Sequence, residues 1–204
     1  MNDRNILDAI LYPQGFRYTF DERIVTAIDD ESGIDQIVEK TKPLNILELG
    51  SWLGKSAINF GNKCLDRNLD VSILCVDTWL GSHEYWTTYV ERQPLVSNSF
   101  SVFCSNVVAN KLEKNILPFR QTTKNAIQIL KYHDVKFDLI YWDCDHASVF
   151  EDLLLVEDVI DTNGIIVVDD YFQHQTVKQQ VDRYLSDKQK SKEVIDDKII
   201  IRKN

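Results

Sequence analysis

Cysteine is sparse in this chain, and Cys64, Cys75, Cys104 and Cys144 form no C-x-x-C pair. That excludes a zinc knuckle and a dense disulfide framework. Proline occurs four times, and there is neither a Gly/Ser-rich stretch nor an internal repeat, so residues 1–204 read as a single domain. Long apolar runs are missing too: Ile165-Ile166-Val167-Val168 has the length of a buried strand, far short of a membrane span. The opening Met1-Asn2-Asp3-Arg4 lacks the charged-then-apolar build of a secretory signal. The expectation is a cytoplasmic protein with reduced thiols and no membrane partner. Positive charge is in deficit, with 23 Lys and Arg against 32 Asp and Glu and a net charge of −9. The densest basic cluster, Lys188, Lys190 and Lys192, is too small to hold a phosphate backbone, so nucleic acid is excluded as a partner. What is present is 44% hydrophobic residues in 204, enough for a core that folds without staples. The sequence leaves a homo-oligomer open.

Apolar runs alternate with helical patterns. Leu44 to Leu49 predicts a short buried strand stopped by Gly50, and Ser56 to Arg67 a helix with Ala57, Ile58, Phe60, Cys64 and Leu65 inward. Further strands are predicted over Val71 to Val76, Ile116 to Phe119, Phe137 to Trp142 and Ile165 to Val168, with a helix from Thr123 to Tyr132. Ser148-Val149-Phe150-Glu151 reads as a capping box opening a helix through Val159 and Ile160, stopped by Asn163-Gly164. Strands apolar on both faces imply a doubly wound α/β sandwich with a mostly parallel sheet. Glu193 to Ile201 reads as two strands around an acidic turn, hence antiparallel. Residues 1–40 are expected to form accessory helices, one capped by Asp21. Residues 78–97 are a long connection rich in aromatics. Its Trp79, Tyr85, Trp86 and Tyr89 either close over a substrate or pack on the N-terminal helices.

Three constellations carry chemistry. In Glu48-Leu49-Gly50-Ser51-Trp52-Leu53-Gly54-Lys55-Ser56, Gly50 permits a sharp turn, Gly54 a close ligand approach, and the amides at the helix start attract an anion. The glycine spacing fits neither the dinucleotide fingerprint nor the P-loop. Asp77, ending the second strand, either accepts the hydroxyls of a ribose or is a solvated loop carboxylate. The third is Asp143-Cys144-Asp145-His146 after one strand with Asp169-Asp170-Tyr171 after the next. If the two strands are neighbours about 5 Å apart, three carboxylates share one rim, and a hard cation such as Mg²⁺ at Asp143, Asp169 and Asp170 would neutralise them. The alternatives are that Asp170 caps the following helix and Asp145 is solvated. His146, on the same rim, is placed to take a proton from a metal-bound hydroxyl, His83 in the long connection is the competing base, and for either one the alternative is a satisfied structural histidine. His133 is expected at the surface at a helix end, and His174 at the start of the last helix is given no role.

Taken in order, residues 44–203 resemble the class I S-adenosylmethionine-dependent methyltransferases, whose fold is Rossmann-like. Glu48 to Gly54 looks like their glycine-rich first motif, Asp77 like the ribose acid, and the terminal hairpin like their antiparallel last strand. Val76-Asp77-Thr78-Trp79, Asp143-x-x-His146 and Asp169-Asp170-Tyr171 are similar to the small metal-dependent O-methyltransferases, including sugar-directed ones. In the related catechol and caffeoyl-type enzymes a basic catalytic residue, usually Lys, stands where His146 does here, and Asp-Asn stands where this chain has Asp169-Asp170. The resemblance implies that Glu48, Gly50, Ser51, Gly54, Asp77, Thr78, Trp79, Thr122, Thr123 and Asp143 hold S-adenosylmethionine. It implies Mg²⁺ or another divalent cation on Asp143, Asp169 and Asp170, and Mg-assisted O-methylation of a small-molecule hydroxyl, with sugars included. Two other readings stand beside it: a nicotinamide-dependent oxidoreductase, disfavoured by the glycine spacing, and a non-catalytic binding module for the donor, against which the three carboxylates argue.

Overall fold

Strands form where β-branched and large apolar residues run unbroken, because each residue can be buried on one face or the other. In the computed structural model, which describes residues 16–88, 91 and 93–203, these are β1 Asn45–Leu49, β2 Ser72–Asp77, β3 Ile116–Arg120, β4 Phe137–Trp142, β5 Ile160–Val168, β6 Lys192–Ile195 and β7 Lys198–Arg202. The α-helices are α1 Ile34–Thr41, α2 Lys55–Leu65, α3 His83–Thr87, α4 Gln93–Ala109, α5 Thr123–Tyr132, α6 Val149–Val156 and α7 Gln175–Lys188. The sheet runs β3-β2-β1-β4-β5-β7-β6. β1 to β5 are parallel, and the β6–β7 hairpin is inserted antiparallel beside β5. The α/β fold expected from the sequence is the one observed. None of the described helices is long and apolar enough to cross a membrane.

Strand alternation divides the core in two. Leu47, Leu49, Leu74, Val76, Ile140, Trp142, Ile166 and Val168 pack under α5, α6 and α7 through Ile127, Leu130, Leu153, Val156, Val181 and Tyr184. Ile46, Ile73, Cys75, Leu139, Tyr141 and Val167 face α1, α2 and α4 through Ile34, Ile37, Ile58, Phe60, Phe103 and Val107. The chain passes from β1 to β2 and β3 on one side, then returns to lay β4 on the other. The carboxyl ends of β1 and β4 therefore flank the switch point where open α/β sheets bind ligands.

Several boundaries differ from expectation. α6 ends at Val156, and Val159 and Ile160 belong to the turn and strand that follow, with Asn163-Gly164 inside β5 at an irregular register against β4. Apolar β-branched residues satisfy both periods over so short a run, and pairing with β4 decides between them. Ser148 makes no side-chain cap. Its hydroxyl lies instead 3.1 Å from the Asp145 carbonyl oxygen and 3.0 Å from Asp152 Oδ2, and its one hydrogen serves one of them at a time, the buried Asp152 carboxylate needing donors. Within residues 16–40 the accessory layer is a 3₁₀ turn, Glu22–Ile24, capped by Asp21, followed by extended chain and α1. The rest of the accessory-helix expectation lies outside the described residues. α4 went unread because polar Ser99, Ser105 and Asn106 are buried on it and blur its apolar stripe.

Candidate active site

The turn after β1 is built around one close approach. Gly50 has φ 84°, and a Cβ there would stand 1.8 Å from the Asp143 carbonyl oxygen, while the Asp143 amide donates to the Leu49 carbonyl at 2.9 Å. Only glycine lets the ends of β1 and β4 meet in this way. Gly54, at φ 88°, opens α2 against the Phe103 ring. Asp77 holds the loop from the neighbouring strand. Its Oδ2 accepts the amides of Ser51 and Trp52 at 3.0 and 2.8 Å, and its Oδ1 accepts that of Trp79 at 2.7 Å. A carboxylate offers about four lone-pair positions, so three are engaged by the protein and one is left, where the sequence reading had two for a ribose. Asn106 on α4 supports the loop from behind, donating to the Leu53 carbonyl at 2.9 Å.

Glu48 lies beneath this loop on the α2 face and accepts from Ser56 Oγ. Burial pushes its carboxyl up to about 7, an effect the Ser56 hydrogen bond opposes. The Ser51 hydroxyl opposes the rise as well, and Ser51 Oγ and Glu48 Oε2 are the two buried side-chain atoms without a hydrogen-bond partner among the described residues. An orphaned hydroxyl beside a glycine cradle at the switch point fits S-adenosylmethionine, with Gly50, Ser51, Gly54 and Asp77 as the residues that would hold it.

The remaining donor-site candidates follow the carboxyl ends of β2, β3 and β4 and are engaged within the protein. The Trp79 indole is core, 3% exposed, against Phe100 and Phe103, and donates to the Trp52 carbonyl at 2.7 Å. It therefore cannot be a lid surface. Thr78 Oγ1 accepts from the Leu80 amide, Thr122 caps α5 through the Asn125 amide, and Thr123 Oγ1 lies 3.8 Å from Cys144 Sγ. Tyr85 on α3 stacks on Trp52 with centroids 4.8 Å apart and planes 3° from parallel. Trp86 is half exposed, its indole donating to the Leu80 carbonyl. Tyr89 lies outside the described residues. His83 is exposed at the start of α3.

The rim of β4 and β5 carries the acids. Asp143 is held well above the usual carboxylate range, first by desolvation and then by the charges of Asp169, Asp170, Glu31 and Glu48. Asp169 is not turned toward it as a free ligand. Both its oxygens lie 3.1 Å from Lys198 Nζ, and Oδ2 also accepts from the Tyr141 hydroxyl at 2.5 Å. Asp170 has φ 60°, and its Oδ2 lies 2.9 Å from His146 Nε2 and 4.0 Å from His174 Nε2. Among the described residues, the group whose possible metal-ligating atoms all lie within 4.8 Å of one another is His146, Asp170 and His174. Asp143, Asp169 and Asp170 form no such group, so the trio does not fit a magnesium shell here. The sequence reading missed Lys198, Glu31 and His174. Glu31 and Lys198 reach the rim from distant chain positions and carry no local motif.

Comparison with solved structures finds an O-methyltransferase from Bacillus cereus in complex with SAH, at 15% identity and TM-score 0.59, covering 97% of this chain and 94% of that one. TomG from Streptomyces achromogenes, an O-methyltransferase of tomaymycin synthesis solved with SAM, is similar at 12% identity and TM-score 0.60 over 99% and 98%. A protein assigned as a caffeoyl-CoA O-methyltransferase from Staphylococcus aureus is similar at 14% and TM-score 0.64 over 88% and 86%. At such identities these likenesses establish the fold. Comparison with curated protein sequences finds no match. The fold agrees with the resemblance to the class I S-adenosylmethionine-dependent methyltransferases. A family model described as a methyltransferase domain matches residues 47–171, more than half of the chain, and the chain belongs to that family.

Proposed function

We propose that this methyltransferase acts on a hydroxyl oxygen of a small-molecule acceptor, sugars included. The observation that carries the reading is the His146–Asp170 pair, 2.9 Å apart on the rim beside the donor cleft. A carboxylate that takes one imidazole N–H fixes the tautomer. With Nε2–H given to Asp170, the basic lone pair is on Nδ1, the atom that would take the acceptor's hydroxyl proton. The imidazolium so formed is stabilised by Asp170, and Gln180 steadies the backbone by donating to the His146 carbonyl at 2.8 Å. The bound donor supplies a methyl group on a sulfonium that departs as a neutral thioether. The protein's task is to align the oxygen and remove its proton. Magnesium assistance, implied by the resemblance, has no step in this reading, because Asp169 is engaged by Lys198.

Labelled S-adenosylmethionine offered with panels of hydroxyl, amine and thiol acceptors tests it. Label is expected on oxygen, and His146→Ala should lower turnover by roughly a hundredfold while calorimetric donor affinity holds and His83→Ala changes nothing. Label found only on nitrogen or sulfur, or full turnover in His146→Ala, rejects the reading.

A further inference from the structure

We infer that the ammonium of Lys198, rather than a divalent ion, is the resident cation of the β5 rim, and that it acts as a positioning group for the His146–Asp170 pair. The inference rests on the acceptor-site reading above and deepens it. Lys198 opens β7 and is 1% exposed. Its Nζ lies 3.1 Å from both oxygens of Asp169, 3.3 Å from Glu31 Oε1 and 3.3 Å from Asp197 Oδ1. Three acids converge on it from the segment before α1, the end of β5 and the hairpin turn. Tyr141 ties two of them, its hydroxyl 2.6 Å from Glu31 Oε1 and 2.5 Å from Asp169 Oδ2, and its one hydrogen serves one acid at a time. A buried lysine surrounded in this way supplies the positive charge that clustered carboxylates require.

The consequence reaches the candidate base through a chain of contacts. Asp169, pinned by Lys198, accepts the Asp170 amide on Oδ1 at 2.8 Å. That bond helps hold Asp170 in its left-handed backbone conformation, φ 60°, from which its carboxylate meets His146 at 2.9 Å. A divalent ion bound through Asp169 would have to displace the ammonium and break this sequence at its first link.

Mn²⁺ uptake, read by electron paramagnetic resonance on the full chain, tests the inference without any acceptor. Wild type and Asp169→Asn are expected to take up Mn²⁺ equally, with any ion on His146, Asp170 and His174 indifferent to Asp169. Lys198→Met, which strips three acids of their cation, should gain a Mn²⁺ site that Lys198→Met/Asp169→Asn lacks, and Lys198→Arg should behave as wild type. Wild-type uptake that Asp169→Asn abolishes overturns the inference, and that comparison stands even if Lys198→Met does not fold. A folded Lys198→Met that gains no Mn²⁺ also overturns it. Donor calorimetry on the same samples keeps the two readings apart: absence of S-adenosylmethionine binding rejects the methyl-transfer reading and leaves the Mn²⁺ result to decide the role of Lys198.

Discussion

A carboxyl group sealed beneath the loop after β1 titrates late, and Glu48 is that group. Its folded-state value is about 7 against an ordinary 4.5, raised by burial. As pH rises from about 4.5 to 7, the unfolded chain releases this proton while the folded chain keeps it. Rising pH therefore favours unfolding across that window and has no further effect through Glu48 above it. The shift of some 2.5 units corresponds to about 3 kcal/mol at 1.36 kcal/mol per unit. Glu48→Gln keeps an acceptor for Ser56 and carries no proton to lose. Urea denaturation from pH 4.5 to 8 should show the difference between variant and wild type growing in the variant's favour up to about pH 7 and then levelling. A pH-independent difference would mean that Glu48 ionises normally. Gly50 makes the complementary point about reading a single residue. Its turn was legible as punctuation after a strand, whereas the reason only glycine fits, a contact with the Asp143 carbonyl, needed the β1–β4 pairing.

At the scale of elements, Asp77 joins β2 to the loop between β1 and α2 through three amides. Asp77→Ala leaves those amides without their acceptor, which costs about 1–3 kcal/mol, and removes the position left for a ribose hydroxyl. Denaturation should show that loss of stability, and calorimetry a loss of donor affinity. Unchanged stability would deny the latch, and unchanged affinity would deny the donor role. Elements with one dominant signal were legible: α5 and β4 occur over the predicted residues, and the terminal hairpin turns at Asp196-Asp197 as expected. Elements whose faces mix signals were not. The buried polar residues of α4 serve the fold through hydrogen bonds, as when Asn106 receives the Thr26 amide and donates to the Leu53 carbonyl, and no apolar period reveals them. The acids of the rim were legible as acids. Their counter-charge was hidden because Lys198 lies in a short run of isoleucines on a strand that pairs with β5 only in the folded sheet.

Across the whole molecule the sheet divides at the β1–β4 seam. β1, β2 and β3 carry the proposed donor loop and Asp77, and β4, β5 and β7 carry Asp143, the His146–Asp170 pair and Lys198. Ligand binding to the first half should stabilise the entire fold, since a single chain with continuous strand pairing has no boundary at which one half could melt alone. A donor at a hundred times its dissociation constant adds about 2.7 kcal/mol, which for a chain of this size raises the melting temperature by roughly 5–10 °C. S-adenosylmethionine and its demethylated product should both produce such a shift, and NAD should not. A shift with NAD as large as that with S-adenosylmethionine would count against the donor site built here on Gly50, Ser51 and Asp77. A chelator should leave the donor-induced shift unchanged, because the residues proposed to hold the donor, Gly50, Ser51, Gly54 and Asp77, lie on the β1–β2 side of the seam and the candidate metal ligands on the β4–β5 side, where Asp143 meets Gly50 and Leu49 through its backbone.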